Sequence, residues 1–420
     1  MSVGYQDTEI GLIPNDWHVS PLKEVAKFRT GPFGTLLKAE EYYSTDGVPL
    51  VSVQDIGDGV LNFGTHTPLV PRSVTRRLPE YVLRAGDIVF GRKGNIERSA
   101  LVSKAQDGCF LGSDAIRGRL NEACYPPFVV YQLQMKRVQA KLLQQSIGTT
   151  MPSLNQSILN GLLIAVPPLP EQRAIAEALS DVDALIDSLD KLIAKKRDIK
   201  QGAMQELLSR KKRLPGFTRV WQVVRLGNIG QTYGGLSGKT KADFGHGNSH
   251  YVTFLNVLNN VVIDADQFDR VQVGPLEKQN EVGRGDLFFN GSSETPEEVG
   301  MCGVLLDEVS NVFLNSFCFG FRVNDESQVN GLYLSYYFRS REGRQLLYAL
   351  AQGATRHNLS KTAFMDTQFP LPDRNEQNAI AQVLSDMDAE IAGLERRREK
   401  TIALKQGMMQ ELLTGRTRLV

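Results

Sequence analysis

The sequence predicts an α+β protein in which two globular α/β domains alternate with two long helices. The first observation is an internal repeat: residues 171–214 return at 376–419, and about half of the aligned positions are identical. The second is the apolar spacing within each copy, which is typical of a long helix with one apolar seam. The third is a weaker likeness between the segments before the two copies, residues 1–166 and 217–372.

An apolar seam runs through both copies of the repeat. Its members are Ile175, Leu179, Val182, Ile186, Leu189, Ile193 and Leu207 in the first copy, and Ile380, Leu384, Met387, Ile391, Leu394, Met408 and Leu412 in the second. A helix of about 40 residues is ~60 Å long, and its apolar side needs a partner in water. We expect the two helices to pack antiparallel as a coiled coil with pseudo-two-fold symmetry. The alternative is that each helix packs locally as the last helix of its own domain.

Each helix carries a glycine at the same position, Gly202 and Gly407, in the shared string KQG-x-M-Q-E-L-L. A glycine inside a helix costs about 1 kcal/mol relative to alanine. Two interpretations stay open: a close approach of another backbone, where the helices cross or a partner chain docks, or a tolerated surface glycine. We take these glycines, with Met204 and Met409 beside them, as candidate subunit-docking residues.

The chain order sets four segments. We predict globular domains at 1–168 and 215–372 and long helices at 169–214 and 373–420. In the first domain, short strands are expected between turns, followed by one helix at 127–145 and a strand at 161–167. The first long helix begins after a proline-rich string and ends in the basic run RKKR before a Pro-Gly pair. That basic run suits the negative end of the helix dipole, and contact with DNA phosphate is the alternative.

The globular segments share matched strings at offsets between about 199 and 205 residues. Gly86–Phe90 matches Gly285–Phe289, and Phe110–Ser113 matches Phe313–Ser316. Offsets that vary in this way indicate small loop changes within one shared fold. The protein is therefore interpreted as two copies of a globular domain followed by a long helix.

Composition limits the class of protein. The chain has 420 residues and a net charge of only +1, so a protein that coats nucleic acid over its whole surface is disfavoured. The sequence has neither a run of 18 apolar residues nor a signal peptide, so we predict a cytoplasmic protein with no membrane span. The scattered cysteines, which are expected to be buried reduced thiols, are Cys109, Cys124, Cys302 and Cys318.

No motif predicts catalysis, a cofactor or a metal. The string GGLSGKT lacks the first glycine of a phosphate-binding loop, because that position is Tyr233. Tyr125 stands where an amino-methyltransferase motif needs Asn, Asp or Ser. His246 and His250 lie in a glycine-rich loop, where their spacing has no helical meaning. The sequence is interpreted as that of a binding protein, with no catalytic residue and no metal ligand.

Two diverged domains alternating with two similar helices resemble the specificity subunit of type I restriction-modification systems. The resemblance rests on Pro167–Ala176 with Lys200–Leu208 and on Pro370–Ala381 with Lys405–Leu413, and it covers essentially the whole chain. It implies that each globular domain is a target recognition domain that reads one half of a bipartite double-stranded DNA target. It also implies that the helices set the spacing and dock two methyltransferase subunits, with restriction and translocase subunits as further partners. The alternative is a non-catalytic scaffold or a standalone DNA-binding protein.

Base reading needs polar side chains on loops that reach a groove, with basic residues near the phosphates. The candidate DNA-binding residues of the first domain are Arg29, Thr35, Lys38, Arg92, Lys93, Asn95, Thr149 and Thr150. Those of the second domain are Lys239, Lys241, Asn290, Ser292, Ser293, Arg356, His357 and Asn358.

Overall fold

A computed structural model describes residues 4–42, 46–146, 152–353 and 355–419. The chain divides into two compact units. Unit 1 consists of the residues up to Asp190 and from Arg397 onward, and unit 2 consists of Lys191–Arg396. The border lies inside both long helices, so each unit contains one part of each helix.

Unit 1 is built from short strands and five helices that precede the first long helix. The strands are β1 Tyr5–Gln6, β2 Ile13–Pro14, β3 His18–Pro21, β4 Ala26–Thr30, β5 Val48–Val51, β6 Gly59–Val60, β7 Leu69–Val70, β8 Ile88–Gly91, β9 Ser99–Leu101, β10 Phe110–Leu111, β11 Ala115–Leu120 and β12 Leu163–Val166. The helices are α1 Leu22–Val25, α2 Arg72–Arg77, α3 Pro126–Leu133, α4 Lys136–Gln145 and α5 Gln156–Gly161, and the first long helix is α6 Leu169–Leu208.

Unit 2 has a similar but not identical order of elements. Its strands are β13 Gln222–Arg225, β14 Gly230–Gly234, β15 Phe244–Val252, β16 Asp269–Val271, β17 Leu287–Asn290, β18 Ser292–Ser293, β19 Cys302–Val304, β20 Val312–Leu314, β21 Cys318–Val323, β22 Ala351–Gln352, β23 His357–Leu359 and β24 Gln368–Leu371. Its helices are α7 Leu226–Ile229, α8 Phe254–Asn259, α9 Gly331–Arg339, α10 Arg341–Tyr348 and α11 Lys361–Asp366, and the second long helix is α12 Arg374–Leu412.

The main sheets of the two units share the order of four strands, and the sheet of unit 1 has β6 as a fifth. In unit 1 the strand order is β4-β11-β8-β9-β6, and in unit 2 it is β14-β21-β17-β19. Each unit also has a smaller sheet with one parallel pair, β10 with β5 in unit 1 and β20 with β15 in unit 2. The predicted likeness between the globular segments is therefore confirmed at the level of strand pairing.

The predicted helix at 127–145 is wrong in one respect, because the structure contains two helices there. Met135 takes an extended conformation with φ −62° and ψ 133°, which separates α3 from α4. Helix α3 is almost wholly buried, whereas α4 buries only Val138 and Leu142. The break lets the apolar part enter the core while the polar part stays at the surface. The predicted strand before the first long helix is confirmed as β12.

Both long helices end earlier than predicted. Helix α6 stops at Leu208 rather than at Leu214, and Arg210 has a left-handed backbone with φ 66°. At the corresponding place after α12, Gly415 has φ 71°. A left-handed residue shortly after the last turn is a common helix end, and it costs a non-glycine residue more than it costs glycine.

The apolar seam of the long helices is partly buried: Val182, Ile186, Met387, Leu394 and Met408 are half-buried, and its other members are buried. In unit 1, Ile175 and Leu179 join the core cluster that contains Leu412. In unit 2, Ile380 and Leu384 join the cluster that contains Leu207. The predicted seam is confirmed, and burial of such aliphatic side chains is worth about 1.5–3 kcal/mol each.

Ion pairs show that the helices run antiparallel within each unit. In unit 1, Lys405 pairs with Asp183 at 2.7 Å and Arg398 pairs with Asp190. In unit 2, Lys196 pairs with Glu390 at 2.6 Å and Lys200 with Asp388 at 2.5 Å. The partner's number falls as the first residue's number rises, which defines the antiparallel direction.

The four cysteines are free and buried, as the sequence predicts. Burial raises the pKa of Cys109 to about 12 and that of Cys124 to about 11. Burial likewise raises the pKa of Cys302 to about 12 and places that of Cys318 far above its ordinary value. A thiolate is the reactive form of cysteine, so these thiols are inert in the folded chain.

Candidate nucleic-acid interface and docking surfaces

In unit 2, a three-stranded sheet brings together four of the sequence-predicted residues. Strand β23 lies between β18 and β22, so that Ser292 is opposite Asn358 and Ser293 is opposite His357. Arg356 directly precedes β23, and its side chain is 52% exposed. These residues are more than 60 positions apart in the sequence; the side chains of Ser292 and Asn358 share one face of the sheet, and those of Ser293 and His357 share the other.

Arg356 is placed beside an exposed aromatic ring. Its guanidinium carbon lies 5.3 Å from the ring centroid of Phe317, which is 50% exposed. Glu294 lies 3.8 Å from the same guanidinium group. An exposed ring under a guanidinium group offers a flat apolar face and a positive charge, which suits contact with a nucleic-acid backbone and bases.

Two of the predicted residues in unit 2 point into the protein. Asn290 is fully buried, and its Oδ1 accepts a hydrogen bond from Sγ of Cys318 at 3.2 Å. Its Nδ2 has no hydrogen-bond partner among the described residues. Ser293 is 7% exposed and donates to Oε2 of Glu298 at 2.6 Å. In this conformation both residues shape the loop from inside.

The remaining predicted lysines of unit 2 differ in accessibility. The side chain of Lys239 is only 4% exposed, and its Nζ lies 2.5 Å from Glu277 and 2.6 Å from the carbonyl oxygen of Gln272. Its charge is therefore used within unit 2. Lys241 is exposed, in the short 3₁₀ helix Lys241–Asp243.

Unit 1 contains the same loop pairing with different side chains. Lys93 is paired with Ser153 as an isolated antiparallel bridge, and the amide of Leu154 donates to the carbonyl oxygen of Arg92 at 2.8 Å. Lys93 and Ser153 correspond to Ser292 and Asn358 in unit 2, 199 and 205 residues later. The loop pairing is thus repeated while its side chains are not.

Arg92 lies over an exposed ring, as Arg356 does in unit 2. Its guanidinium carbon is 5.7 Å from the centroid of Phe33, which is 62% exposed. Lys93 lies 3.8 Å from Asp114, with both side chains about half exposed. Asn95 is exposed in the same loop. Arg92, Lys93 and Asn95 are therefore brought together with Phe33.

The other predicted residues of unit 1 lie elsewhere. Arg29 is on β4, 4.0 Å from Glu80 and with its guanidinium carbon 5.4 Å from the ring centroid of Tyr81. Lys38 is exposed, and Thr35 lies in the 3₁₀ helix Gly34–Leu36. Thr149 and Thr150 lie outside the described residues.

A buried aspartate anchors each of the strands that lead into these loops. Asp87 precedes β8 and is held by Arg119 through two contacts of 2.7 Å. Asp286 precedes β17 and is held by Arg322 at 2.6 and 2.7 Å. Hydrogen bonds to these carboxylates raise the pKa of Arg119 and of Arg322. The repeated Gly-Asp dipeptide is the sequence signal that marks these anchors.

The start of each long helix is fixed by a buried glutamate that accepts a hydrogen bond from a tryptophan. Nε1 of Trp17 donates to Glu171 at 3.0 Å, and Nε1 of Trp221 donates to Glu376 at 2.9 Å. Arg418 also binds Glu171, with Nη2 2.7 Å from Oε2. These contacts account for the glutamate of the repeated Glu-Gln string.

Arg213 occupies the place in unit 2 that Arg418 occupies in unit 1. Its Nη2 lies 2.6 Å from Oε2 of Glu376, and the side chain of Glu376 is 1% exposed. For the basic run RKKR, the sequence left a dipole role and a phosphate contact open. For Arg213 the structure gives a third role, an ion pair within the protein.

A second repeated contact joins each long helix to its globular domain. Tyr131 donates to Oδ2 of Asp183 at 2.8 Å, and Tyr336 donates to Oδ2 of Asp388 at 2.7 Å. The paired lysine of each aspartate lies 5.5 Å from the tyrosine ring centroid in both units. Burial, followed by the bond to the aspartate, raises the pKa of both phenols.

Gly202 and Gly407 face open space within the chain. No heavy atom lies within 4 Å of a Cβ built at either glycine. A close backbone approach inside the protein is therefore not the reason for these glycines. The neighbouring Met204 and Met409 are half-buried and pack against the cores of their own units.

Each glycine lies on an exposed face that is the same in the two helices. Ile199 is 46% exposed and Leu404 is 58% exposed, each three residues before its glycine and hence on the same helix face. The face continues with Lys195 and Glu206 in α6, and with Lys400 and Glu411 in α12. Each set thus has four residues, including its glycine: Lys195, Ile199, Gly202 and Glu206 in α6, and Lys400, Leu404, Gly407 and Glu411 in α12. We call the two sets the Lys–aliphatic–Gly–Glu faces.

Within the described ranges, no group of three or more histidine, cysteine or acidic side chains is arranged to hold a metal ion. In that same part of the chain, no helix has both the length and the apolarity needed to cross a membrane. His246 and His250 lie on β15 rather than in a loop.

Comparison with known proteins identifies the class of this fold and surface. The family model for the type I restriction modification DNA specificity domain matches residues 14–196 and 219–404. The chain therefore belongs to the family of type I restriction-modification DNA specificity proteins.

Individual relatives extend over almost the whole chain. The type I restriction enzyme MjaVIII specificity subunit of Methanocaldococcus jannaschii is 24% identical over 433 residues, which cover 97% of this chain and 94% of that protein. The S subunit structure from M. genitalium aligns with a TM-score of 0.56 at 15% identity, covering 94% of this chain and 96% of that one. The HsdS subunit structure from Thermoanaerobacter tengcongensis aligns with a TM-score of 0.50 at 19% identity, covering 96% and 98%.

Proposed function

We propose that this chain gives a type I restriction-modification complex its DNA sequence specificity, with each globular domain reading one half of a bipartite target. The observation that carries the proposal is the repeated loop pairing, Lys93 with Ser153 and Ser292 with Asn358. Two domains that repeat the same pairing but present different side chains are suited to two half-sites of different sequence. Membership of the family supports the same function.

Two surfaces are the proposed DNA contacts. The surface of the first domain consists of Arg92, Lys93 and Asn95 beside Phe33, and that of the second consists of Arg356, Asn358 and Ser292 beside Phe317, with His357 on the other face of the same sheet. The arginines supply charge to phosphates or bidentate bonds to guanine, and the amide and hydroxyl groups supply bonds to base edges. Arg29, Thr35, Lys38, Thr149, Thr150 and Lys241 are proposed as additional DNA contacts.

Lys239, Asn290 and Ser293 have a different place in the proposal. Their polar atoms bind other residues of unit 2, so we assign them to maintaining the conformation of unit 2 around the second surface. Removal of any of them would act on the loop conformation first. Their direct contact with DNA would require these internal bonds to open.

The Lys–aliphatic–Gly–Glu faces are the proposed docks for two methyltransferase subunits. Each offers an exposed aliphatic side chain next to a glycine that lets another backbone come close. Two equal faces on one chain suit two copies of one partner. Restriction and translocase subunits would join through that assembly, and the whole would work on DNA in the cytoplasm. The chain itself would have no catalytic activity.

The proposal is tested by exchanging residues 217–372 for the corresponding domain of a relative that has a different target. The complex of the chimera with its methyltransferase subunits should methylate a target in which one half-site has changed and the other has not. Methylome sequencing of cells carrying the chimera gives both half-sites in one measurement. A change in both half-sites, or in neither, would overturn the assignment of one reader to each domain.

A second measurement separates binding from catalysis. Labelled, unmethylated duplexes that contain the target sequence are mixed with the purified chain, with and without the methyltransferase subunits. Turnover of S-adenosylmethionine should require those subunits. Turnover by the chain alone would contradict the proposed non-catalytic role.

A further inference from the structure

Unit 2 has an open groove that is lined by apolar, aromatic and charged side chains. It has a volume of about 750 Å³ and lies against α10, α11 and the end of α6. Leu346 and Leu350 give it an apolar side, and Tyr337 gives it an aromatic one. Its charged lining residues are Glu342, Arg210 and Asp366, and the first two define its position for the comparison that follows.

The corresponding place in unit 1 is covered by the chain itself. Residues 137 and 415 are the counterparts of 342 and 210, each 205 positions away. The carbonyl oxygen of Ile10 accepts a hydrogen bond from Arg137, and the hydroxyl of Tyr5 donates to the carbonyl oxygen of Gly415 at 3.2 Å. The Ile10 side chain packs against the core of unit 1. Ile10 lies in a turn, in which the amide of Gly11 donates to the carbonyl oxygen of Thr8, so a turn with an aliphatic side chain fits this place in the fold.

Among its described residues, unit 2 has no counterpart of the β1–β2 hairpin. The residues that lead to Trp17 include the hairpin of β1 and β2, whereas the residues that lead to Trp221 come directly from the end of α6. The residues between Leu208 and Trp221 form that connection, and none of them lies on a strand. Leu214, within it, packs against the core of unit 2.

The two places also differ in charge. The covering segment of unit 1 carries Asp7 and Glu9, and it lies against the helix that bears Arg137 and Lys141. In unit 2 these basic positions are Glu342 and Leu346. The change of sign and the gain of apolar surface indicate that the groove of unit 2 takes a different segment.

Glu342 supplies the second observation that points to a ligand. Its Oε2 atom is buried and has no hydrogen-bond partner among the described residues. A buried carboxylate oxygen without a donor is costly, and a donor from another molecule would remove that cost. The neighbouring Asp366 differs, because Arg225 already pairs with it.

We propose that this groove binds a peptide segment of a partner protein, in which an aliphatic residue is flanked by lysine or arginine. The aliphatic side chain would pack on Leu346 and Leu350, as Ile10 packs in unit 1. The basic side chain would donate to Glu342. This site is separate from the proposed DNA surfaces, so its occupation does not depend on the reading of a target.

The probe for the test is a fluorescein-labelled peptide with the sequence of residues 4–12, carrying Asp7→Lys and Glu9→Lys. Its fluorescence anisotropy is followed during titration with the full chain. We expect it to bind about tenfold more tightly than the unsubstituted peptide, since one charge-assisted hydrogen bond is gained and two repulsive charges are lost. In the chain variant Glu342→Arg with Leu346→Lys, the preference should reverse.

The matched control carries the same two changes on exposed residues outside the groove, Glu308→Arg with Leu276→Lys. Glu308 is 81% exposed in its side chain and Leu276 is 95% exposed. This variant should keep the original preference, and circular dichroism should show both variants folded. Equal binding of the two peptides, or a preference that the groove variant leaves unchanged, would overturn the proposal. Tighter binding of the unsubstituted peptide would overturn it in favour of a second copy of this chain as the occupant.

Discussion

Glu171 accepts a hydrogen bond from Nε1 of Trp17, 154 residues earlier in the sequence, at a distance of 3.0 Å. Its side chain is fully buried, and Arg418 neutralises it from the far end of the chain. Trp221, Glu376 and Arg213 repeat this arrangement in unit 2. Each long helix is thus joined at its first turn to its own globular domain, and the charge of the glutamate is balanced by the arginine that follows the other helix.

The first prediction concerns the arginine of this arrangement. Arg418→Met leaves the buried carboxylate of Glu171 with only the indole as partner, so the free energy of unfolding should fall by about 3 kcal/mol. The measurement is urea-induced unfolding followed by tryptophan fluorescence. Arg416→Met is the matched control, because Arg416 is exposed and forms only a 3.5 Å pair with Glu411; its effect should stay below about 1 kcal/mol. Equal losses in the two variants would show that the buried pair does not stabilise unit 1.

The second prediction uses the exposed glycines of the long helices. Gly202→Ala with Gly407→Ala should stabilise the isolated chain by up to about 1 kcal/mol at each site, because alanine favours the helix and each Cβ meets open space. The same pair should weaken binding of the methyltransferase subunits, since a partner backbone could no longer approach as closely. Thermal unfolding and analytical ultracentrifugation give the two readouts.

Gly393→Ala is the control for the docking test. Gly393 lies on α12, and a Cβ there would make only an ordinary contact with Arg396 at 3.9 Å. It should raise stability in the same way and leave assembly intact. If the double variant assembles as well as this control does, the glycines are not part of the dock. Replacement of Met204 or Met409 is less informative, because both also pack in their own unit.

The third prediction concerns the arginines that lie over exposed rings. Arg356→Ala should weaken DNA binding by about 1–3 kcal/mol if it reads a guanine, and it should relax specificity only in the half-site of the second domain. If it contacts phosphate, affinity should fall equally for all sequences and the salt slope should decrease by about 0.9. Arg92→Ala is the matched variant for the other half-site.

Competition binding with duplex libraries at several salt concentrations distinguishes these two outcomes. Arg284→Ala removes an equally exposed arginine, which pairs with Glu308 at 3.6 Å, and it serves as the control. Binding that is unchanged by both Arg92→Ala and Arg356→Ala would remove the proposed surfaces from the DNA interface.

The repeat, the helical seam and the shared fold of the globular domains were all accessible from the sequence. They depend on local periodicity and on self-similarity, which the sequence displays directly. The break between α3 and α4 was not accessible, because it depends on how far the core of unit 1 extends. Long-range partners were also hidden, as the pairing of Arg213 with Glu376 illustrates.

The candidate DNA residues show the same division. Ser292 and Asn358 were expected in loops but lie on the paired strands β18 and β23, and Lys93 forms the corresponding bridge with Ser153 in unit 1. The accessibility of the side chains could not be predicted. Lys239 lies in a glycine-rich string, and nothing in that string indicates that its side chain is only 4% exposed. Phe33 and Phe317 were missed altogether. Only their exposure beside an arginine distinguishes them from ordinary core residues.

The last prediction concerns the distance between the half-sites. We expect that four helix-forming residues inserted after Ala194, together with four after Arg396, lengthen the gap without changing the letters of either half-site. Insertion at both places keeps the ion pairs of each unit together: Lys405–Asp183 and Arg398–Asp190 in unit 1, and Lys196–Glu390 and Lys200–Asp388 in unit 2.

Insertion after Ala194 alone should cost stability, because the seam of α6 would no longer match that of α12 beyond it. Four residues add ~6 Å of rise and, at roughly 100° each, about 40° of net rotation. One base pair adds ~3.4 Å and roughly 34°. Rise therefore favours about two additional base pairs and rotation favours about one. Methylome sequencing of cells carrying the paired insertion measures which gap the complex accepts, and an unchanged gap with full activity would mean that the long helices do not set the spacing.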